Sequence, residues 1–446
     1  MITGPSLLLL ILASIILIIL LTAKFKLHPF LALIAACFFL GVTVRMPLPD
    51  IVKSMEKGFG GIMSYIGMIV VFGSVIGVFL EKSGGAMKIA QSIIKLTGEK
   101  KTIPAISLIG AVVSVPVFCD SGFILLSGLA DKISKLSNTS KASLSLSLAT
   151  GLYTTHTLVP PTPGPIAAAG NIGASGYLGT IILLGLCFSI PVLLVTQLLS
   201  KKIGKSIITN EIQNMDSVEQ NDSSSMPSLT NALIPLLLPI LLIALGTIIR
   251  FVGIENEWFN FISDPVVAIF IGAIIAMLLL RPRAGDTIKN WFIEAVKVSG
   301  PILIITAAGG AFGGVLKATS LADYVRQWMT SGESDDIFIL LLIFVIAAVL
   351  KSAQGSSTSA MVITSSLLAP LIPVLGWDSA IQFALAVLVI GGGAMTVSHF
   401  NDSYFWVVSQ FSGMSARDTN RSFTLITGVQ GLLVLTLSIL VWVLFV

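Results

Sequence analysis

Thr155-His156-Thr157-Leu158-Val159-Pro160-Pro161-Thr162-Pro163-Gly164-Pro165 lies inside an apolar stretch, and no α-helix can run through it. Each proline lacks the N–H that a helix needs and pushes the residue before it toward extended geometry. Upstream, Val115-Pro116-Val117-Phe118-Cys119-Asp120-Ser121-Gly122-Phe123 sets a carboxylate in equally apolar surroundings. The other half answers with Lys351-Ser352-Ala353-Gln354-Gly355-Ser356-Ser357-Thr358-Ser359 and Ser398-His399-Phe400-Asn401-Asp402-Ser403. A bilayer core tolerates such residues only where they line a cavity or a pathway, so the pattern points to a transporter.

Working outward, the chain has 446 residues, 55% hydrophobic and 11% charged, with a mean hydropathy of +0.97, which is incompatible with a water-facing surface. It reads as an all-α polytopic membrane protein. The net charge of +4 is small, and the basic residues collect in short gaps between apolar runs. That is an orientation signal, and no nucleic-acid partner is expected. Cys37, Cys119 and Cys187 show neither metal-ligand spacing nor a disulfide pattern. The run Gly4 to Ala23 has no basic residue before it and reads as a first membrane helix rather than a cleaved signal peptide. Further runs of spanning length lie near 28–44, 61–80, 177–200, 230–250, 264–280, 299–316 and 421–446. Residues 201–229 form a polar stretch that divides the chain, read as a cytoplasmic linker between residues 1–200 and 230–446.

The halves repeat. An offset of roughly 237 residues lays Gly73 and Gly77 on Gly310 and Gly314, and Cys119 to Gly122 on Ser356 to Ser359; a slightly larger one pairs His156 with His399. The four glycines read as packing positions. Charge decides between parallel and inverted repeats. Lys24, Lys26, Lys82, Lys88, Lys95, Lys100, Lys101, Lys132, Lys135, Lys141, Lys201, Lys202 and Lys205 all belong on the cytoplasmic side if about 102–134 is a re-entrant hairpin. At about 1.5 Å of rise per residue, that segment is too short for two full spans and a turn. Arg281, Arg283 and Lys289 then fall inside, and Glu333, Asp335, Asp336 and Asp378 bracket a second hairpin, about 337–372, on the outside. The repeats are therefore expected to be inverted with both termini outside. Each has a hairpin followed by a broken helix, about 141–175 and about 379–414. Arg45, Lys53, Lys57 and Arg250 fit this charge pattern less well and are read as interfacial anchors on amphipathic segments.

Two hairpins meeting tip to tip bring unpaired N–H groups to membrane depth, where they attract a carboxylate. The expected substrate contacts are Asp120, Ser121 and Gly122 at one tip and Lys351, Gln354, Gly355, Ser356, Ser357 and Thr358 at the other. Thr162, Pro163, Gly164, Asn401 and Ser403 join them from the helix breaks. The hydroxyls suit a polyhydroxylated acid, since each donates and accepts. Asp120, His156, His399 and Asp402 are the candidate proton carriers. Bland readings stand beside these: a carboxylate paired with a lysine for structure, a snorkelling Lys351, hydrogen-bonded packing histidines, and small residues that serve close helix packing.

Phe118 to Phe123, His156 with the Pro160–Pro165 run, Gln354-Gly355-Ser356, and Ser398 to Ser403 together resemble the gluconate permease family of proton symporters over nearly the whole chain. The resemblance implies a bacterial inner-membrane permease for gluconate or a related sugar acid or hydroxy acid, within the wider ion-transporter fold class, with some relatives carrying D-serine. Thr162 stands where that pattern usually has a bulkier polar residue, and Lys351 where it often has arginine. The expected partners are a small carboxylate, protons and the lipid bilayer, with a homo-oligomer compatible with the sequence. Neither a cofactor nor a metal is expected, and no motif of an enzyme is present. A monovalent acid moving with one proton is electroneutral, whereas each extra proton adds about 2.3 kcal/mol per 100 mV. Sodium-coupled transport of another carboxylate or amino acid is the alternative, and a channel or non-transporting scaffold the last.

Overall fold

The computed structural model describes residues 1–97, 101–137, 139–209, 226–251, 256–281, 287–324 and 336–446. Lys100, Arg283, Glu333, Asp335 and the middle of the expected linker, 210–225, lie outside the described residues, as does the side chain of Arg250.

Every regular element described is a helix. With no water to satisfy backbone groups in hydrocarbon, a helix that closes its own hydrogen bonds is the economical span. The first half holds α1 (Pro5–Ile19), α2 (Pro29–Thr43), α3 (Leu48–Lys82), α4 (Gly85–Thr97), α5 (Thr102–Val113), α6 (Cys119–Ser137), α7 (Lys141–Leu158), α8 (Pro163–Ile172) and α9 (Leu178–Gly204). The second holds α10 (Leu229–Phe251), α11 (Glu257–Ile262), α12 (Pro265–Leu279), α13 (Ile288–Lys317), α14 (Asp336–Gln354), α15 (Ser357–Leu368), α16 (Ile372–Leu375), α17 (Ala380–Met395), α18 (Ser403–Ser412) and α19 (Ala416–Phe445). Among the described residues, Pro5–Lys24, Ser175–Gly204, Leu229–Ile249, Ile288–Lys317, Asp336–Gln354 and Ala416–Phe445 are long and apolar enough to cross a bilayer.

Three sequence boundaries move. The runs 61–80 and 299–316 are the apolar portions of longer helices, α3 and α13. The division at residue 201 falls inside α9, which continues to Gly204 because its final turn is anchored: Ser140 Oγ donates to the Gly204 carbonyl at 2.7 Å.

Packing partners exchange between halves. α1 packs on α2 as α10 packs on α12, and α2 lies on α13 as α12 lies on α3. α5 packs on α7 as α14 on α17; α7 on α9 as α17 on α19; α8 on α15 as α18 on α6. Small residues make the closest crossings. Gly310 and Gly314 of α13 sit against the backbone of Gly58 and Ser54 in α3, and Gly391 of α17 lies on the Thr157 carbonyl of α7. Removing side chains there lets backbones approach and gain dispersion, the main attraction between helices in lipid.

Charged and amphipathic side chains pair at the helix ends. At one end Asp131 bridges Lys135 and Lys141 at 2.9 and 3.1 Å, Thr102 meets Thr139 at 3.2 Å, and Lys82 reaches Glu294 at 2.6 Å. At the other, the Trp377 indole donates to Asp336 at 3.0 Å and its ring meets Trp442 at a tilt, centroids 5.0 Å apart, while the Tyr177 hydroxyl donates to the Asp378 carbonyl. Tryptophan and tyrosine there match the amphipathic belt of a membrane interface.

Candidate functional site

Four helix interruptions converge in the middle of this bundle. Between α5 and α6, Pro116 removes a backbone donor and Ser114 Oγ closes the turn on the Val117 carbonyl at 3.2 Å. Between α7 and α8, Thr162 Oγ1 donates to the Val159 carbonyl at 2.6 Å and Pro163 opens the next helix, where a missing N–H costs nothing. Between α14 and α15, Gly355 takes the left-handed backbone, φ +77°, and Ser356 caps α15 by accepting from the Ser359 N–H at 3.2 Å.

The fourth, 396–402, contains no proline, and side chains of other elements replace the helical bonds. Ser398 N–H donates to Thr427 Oγ1 at 3.0 Å, Thr424 Oγ1 donates to the Ser398 carbonyl at 2.5 Å, and Asp402 caps α18 by accepting from Tyr404 N–H at 3.0 Å. Val397 is held at φ +57°, a conformation that a β-branched residue adopts only under constraint.

At the crossing of the third and fourth interruptions is a buried ion pair. Lys351 Nζ donates to Asp402 Oδ2 at 2.5 Å and to the Gly355 carbonyl at 3.1 Å. Lys351 is 1% exposed and Asp402 4% exposed. The ammonium also lies 5.6 Å from the centre of the Tyr153 ring, an attractive cation–π geometry. The Ser398 hydroxyl donates to the same Asp402 Oδ2, and the Asn401 amide ties the break to the end of α14 through the Ala353 carbonyl. A charge at this depth costs about 2.5–3.5 kcal/mol on insertion scales, and the pair persists because each ion finds several partners.

Around the pair, polar atoms are buried without partners. Asp120 Oδ1, His156 Nδ1 and both amide atoms of Gln354 are in this state among the described residues. Asp120 lies within electrostatic range of both Asp402 and Lys351. His156 packs its ring 6.2 Å from Phe118 and lines a small cavity with Gly73, Pro116, Thr162 and Pro163. Unsatisfied buried groups are costly, and a cluster of them at one place marks where a polar ligand or water is accommodated.

The remaining sequence candidates divide. Ser121, Ser357 and Thr358 are half-buried and Gly122 is buried against Leu152. Thr162 is buried but its hydroxyl is engaged within its own turn, and Gly164 faces Met361 of α15. Two candidates stand apart. Ser403 opens α18 with its side chain exposed, because the helix turns Asp402 and Tyr404 inward and leaves it on the outer face. His399 is half-buried, and its Nδ1 accepts from the Asn401 N–H at 3.4 Å within its own loop.

Sequence reasoning passed over Tyr153, Tyr404 and Asn171. Tyr153 precedes His156 by three residues on one helix face, a spacing that would have pointed to it. The Tyr404 hydroxyl donates to the Ala149 carbonyl at 2.9 Å. Asn171 of α8 donates to the Val362 carbonyl and to Ser365 and Ser366, at 3.1, 2.8 and 3.1 Å, tying the halves together. Nothing local in the sequence signals those two.

The fold is similar to that of the Alcanivorax borkumensis YdaH transporter, with a TM-score of 0.66 at 16% identity over 89% of each chain. It is also similar to Neisseria gonorrhoeae MtrF, with a TM-score of 0.63 at 15% identity over 90% of this chain and 85% of that one. In sequence, the chain is 31% identical to a gluconate permease of Pseudomonas aeruginosa, covering 96% of this chain and 97% of the relative. It is 31% identical to the D-serine transporter DsdX of Escherichia coli, over 95% and 96%, and 30% identical to a low-affinity gluconate transporter of the same organism, over 96% of each. Residues 6–445 match the model of the GntP family permease, and the chain belongs to that family of multi-pass membrane transporters.

Proposed function

We propose that this permease takes up gluconate or a related monovalent sugar acid or hydroxy acid together with a proton, across a bacterial inner membrane. One observation carries the reading: the Lys351–Asp402 pair is buried where interrupted helices cross, beside the unpartnered Asp120 Oδ1 and Gln354 amide. A cation and titratable carboxylates at one point offer an anion site and a proton site together, which electroneutral symport requires.

In this reading Lys351, Gln354, Gly355, Ser356, Ser357 and Thr358 of one hairpin, Asp120, Ser121 and Gly122 of the other, and Thr162, Pro163, Gly164 and Asn401 of the breaks form the substrate site. Asp120 or Asp402, with His156 as partner, binds the proton. The exchange of packing partners between halves supports an inverted-repeat architecture with α5–α6 and α14–α15 as re-entrant hairpins and α7–α8 and α17–α18 as broken spans. Lys135 and Lys141, gathered around Asp131 between α6 and α7, support a cytoplasmic linker and both termini outside.

Uptake of labelled gluconate into proteoliposomes tests this. Accumulation should follow an inward proton gradient; a sodium requirement without proton dependence, or equilibration without accumulation, counts against it. A second reading, D-serine symport, draws on the unpartnered Asp120 oxygen, which suits an ammonium group opposite Lys351. Competition of gluconate uptake by D-serine separates the two.

A further inference from the structure

Lys351 already holds a carboxylate, and it is the protein's own. Its ammonium donates to Asp402 Oδ2 and to the Gly355 carbonyl and lies over the Tyr153 ring, so two of its three protons are hydrogen-bonded within the protein. An incoming acid that joined Asp402 on Nζ would set two carboxylates against one buried ammonium, so Asp402 has to give up its charge. We infer that Asp402 is an internal stand-in for the substrate carboxylate, and that protonation of Asp402 Oδ2 exchanges one for the other on Lys351. This rests on the acid–proton symport proposed above and states how the two are coupled.

Charge counting gives the coupling. Empty, the pair is neutral. Loaded, it comprises a lysine cation, a protonated Asp402 and a substrate anion, again neutral. A proton without substrate leaves one positive charge, and substrate without a proton leaves one negative charge, each uncompensated at membrane depth. The two neutral states are the ones that can reorient, so one proton accompanies one acid. The charge of Asp120 is common to both and does not alter the count.

The geometry favours Asp402 as the carrier. Its Oδ1 caps α18 through Tyr404 N–H, and its Oδ2 faces both Lys351 and the Ser398 hydroxyl. When the proton arrives on Oδ2, the hydroxyl can turn from donor to acceptor, Lys351 is released and the helix cap survives. The other titratable groups around this cluster are Cys119 and Asp120 from α6, Tyr153 and His156 from α7 and Tyr404 from α18, while His399 of the same break stays in its own loop; α19 presents the hydroxyls of Thr424 and Thr427. Asp120 and His156 are the competing proton sites.

Gluconate binding to the purified permease, followed by calorimetry in buffers of different ionisation enthalpy, tests the exchange. The wild type should take up one proton per gluconate. Asp402→Asn imitates the protonated state: it should bind gluconate without proton uptake and independently of pH, and exchange it across proteoliposomes without concentrating it. Lys351→Gln should weaken binding by about tenfold or more. The exchange is overturned if Asp402→Asn loses binding as Lys351→Gln does, or still concentrates gluconate on a proton gradient. Should Asp402→Asn not fold, Asp402→Glu must move the pH midpoint of binding, and an unmoved midpoint overturns the exchange equally. A wild type that accumulates acids on a sodium gradient alone would instead sink the symport reading.

Discussion

Replacing Gly355 by alanine isolates the closest backbone approach at the site. Gly355 has φ +77°, and a Cβ placed on it runs into the Asn401 carbonyl and lies 3.1 Å from Asp402 Cα. The left-handed backbone alone costs a non-glycine residue about 1–2 kcal/mol. Forcing a methyl against main chain that cannot rotate away adds about 1–3 kcal/mol, the usual range for overpacking. Gly355→Ala should therefore cost about 2–5 kcal/mol in total. Gly376 supplies the control, since it has φ +69° with nothing within 4 Å of its would-be Cβ. Gly376→Ala should cost only the backbone share, about 1–2 kcal/mol. Thermal unfolding of both variants in one detergent, followed by intrinsic fluorescence, should order the midpoints wild type, Gly376→Ala, Gly355→Ala. Because relief of the collision pushes residues 401–402 away from Lys351, uptake should fall in Gly355→Ala and persist in Gly376→Ala. If Gly355→Ala unfolds no earlier than Gly376→Ala, the 396–402 break yields freely and the reasoning fails.

Lys351→Met leaves the Asp402 charge buried without its partner and should destabilise the protein by about 3–5 kcal/mol, while Lys351→Met with Asp402→Leu should recover much of that loss in the same melting assay. Tyr153→Phe keeps the ring under Lys351 and should leave the KM of uptake close to wild type, whereas Tyr153→Leu forfeits about 0.5–2 kcal/mol of cation–π attraction and should raise it severalfold. Asn171→Ala removes the donor shared by Val362, Ser365 and Ser366 and should lower stability by about 1–3 kcal/mol, read as an earlier melt. In a cysteine-free background, a cysteine at Lys201 should react with a membrane-impermeant reagent only from the cytoplasm and one at Asp378 only from outside; labelling of both from one face would remove the inverted topology.

Several features of this permease were legible because they are local. The apolar runs dictate helices in lipid, since no other single segment satisfies its own backbone there. Pro160, Pro161 and Pro163 forbid hydrogen bonds that a continuous span would need, so the interruption after Leu158 is written into the residues themselves. Gln354-Gly355-Ser356 carries the same message through a left-handed glycine and a capping serine. The break before Asp402 is different in kind: nothing in Thr396 to Asn401 forbids a helix, and only Thr424 and Thr427, reaching across from α19, make the unwound form the satisfied one. Lys351 and Asp402 were each visible as charges out of place, but their union across 51 residues was not. Neither was the inward Tyr153 face, the Asn171 tie, nor the outward turn of Ser403 that removes it from the site. Propensity, proline geometry and hydropathy act within a few residues of chain. Which buried charge meets which is decided by the packing of remote helices, because a desolvated ion takes whichever partner the fold brings within reach.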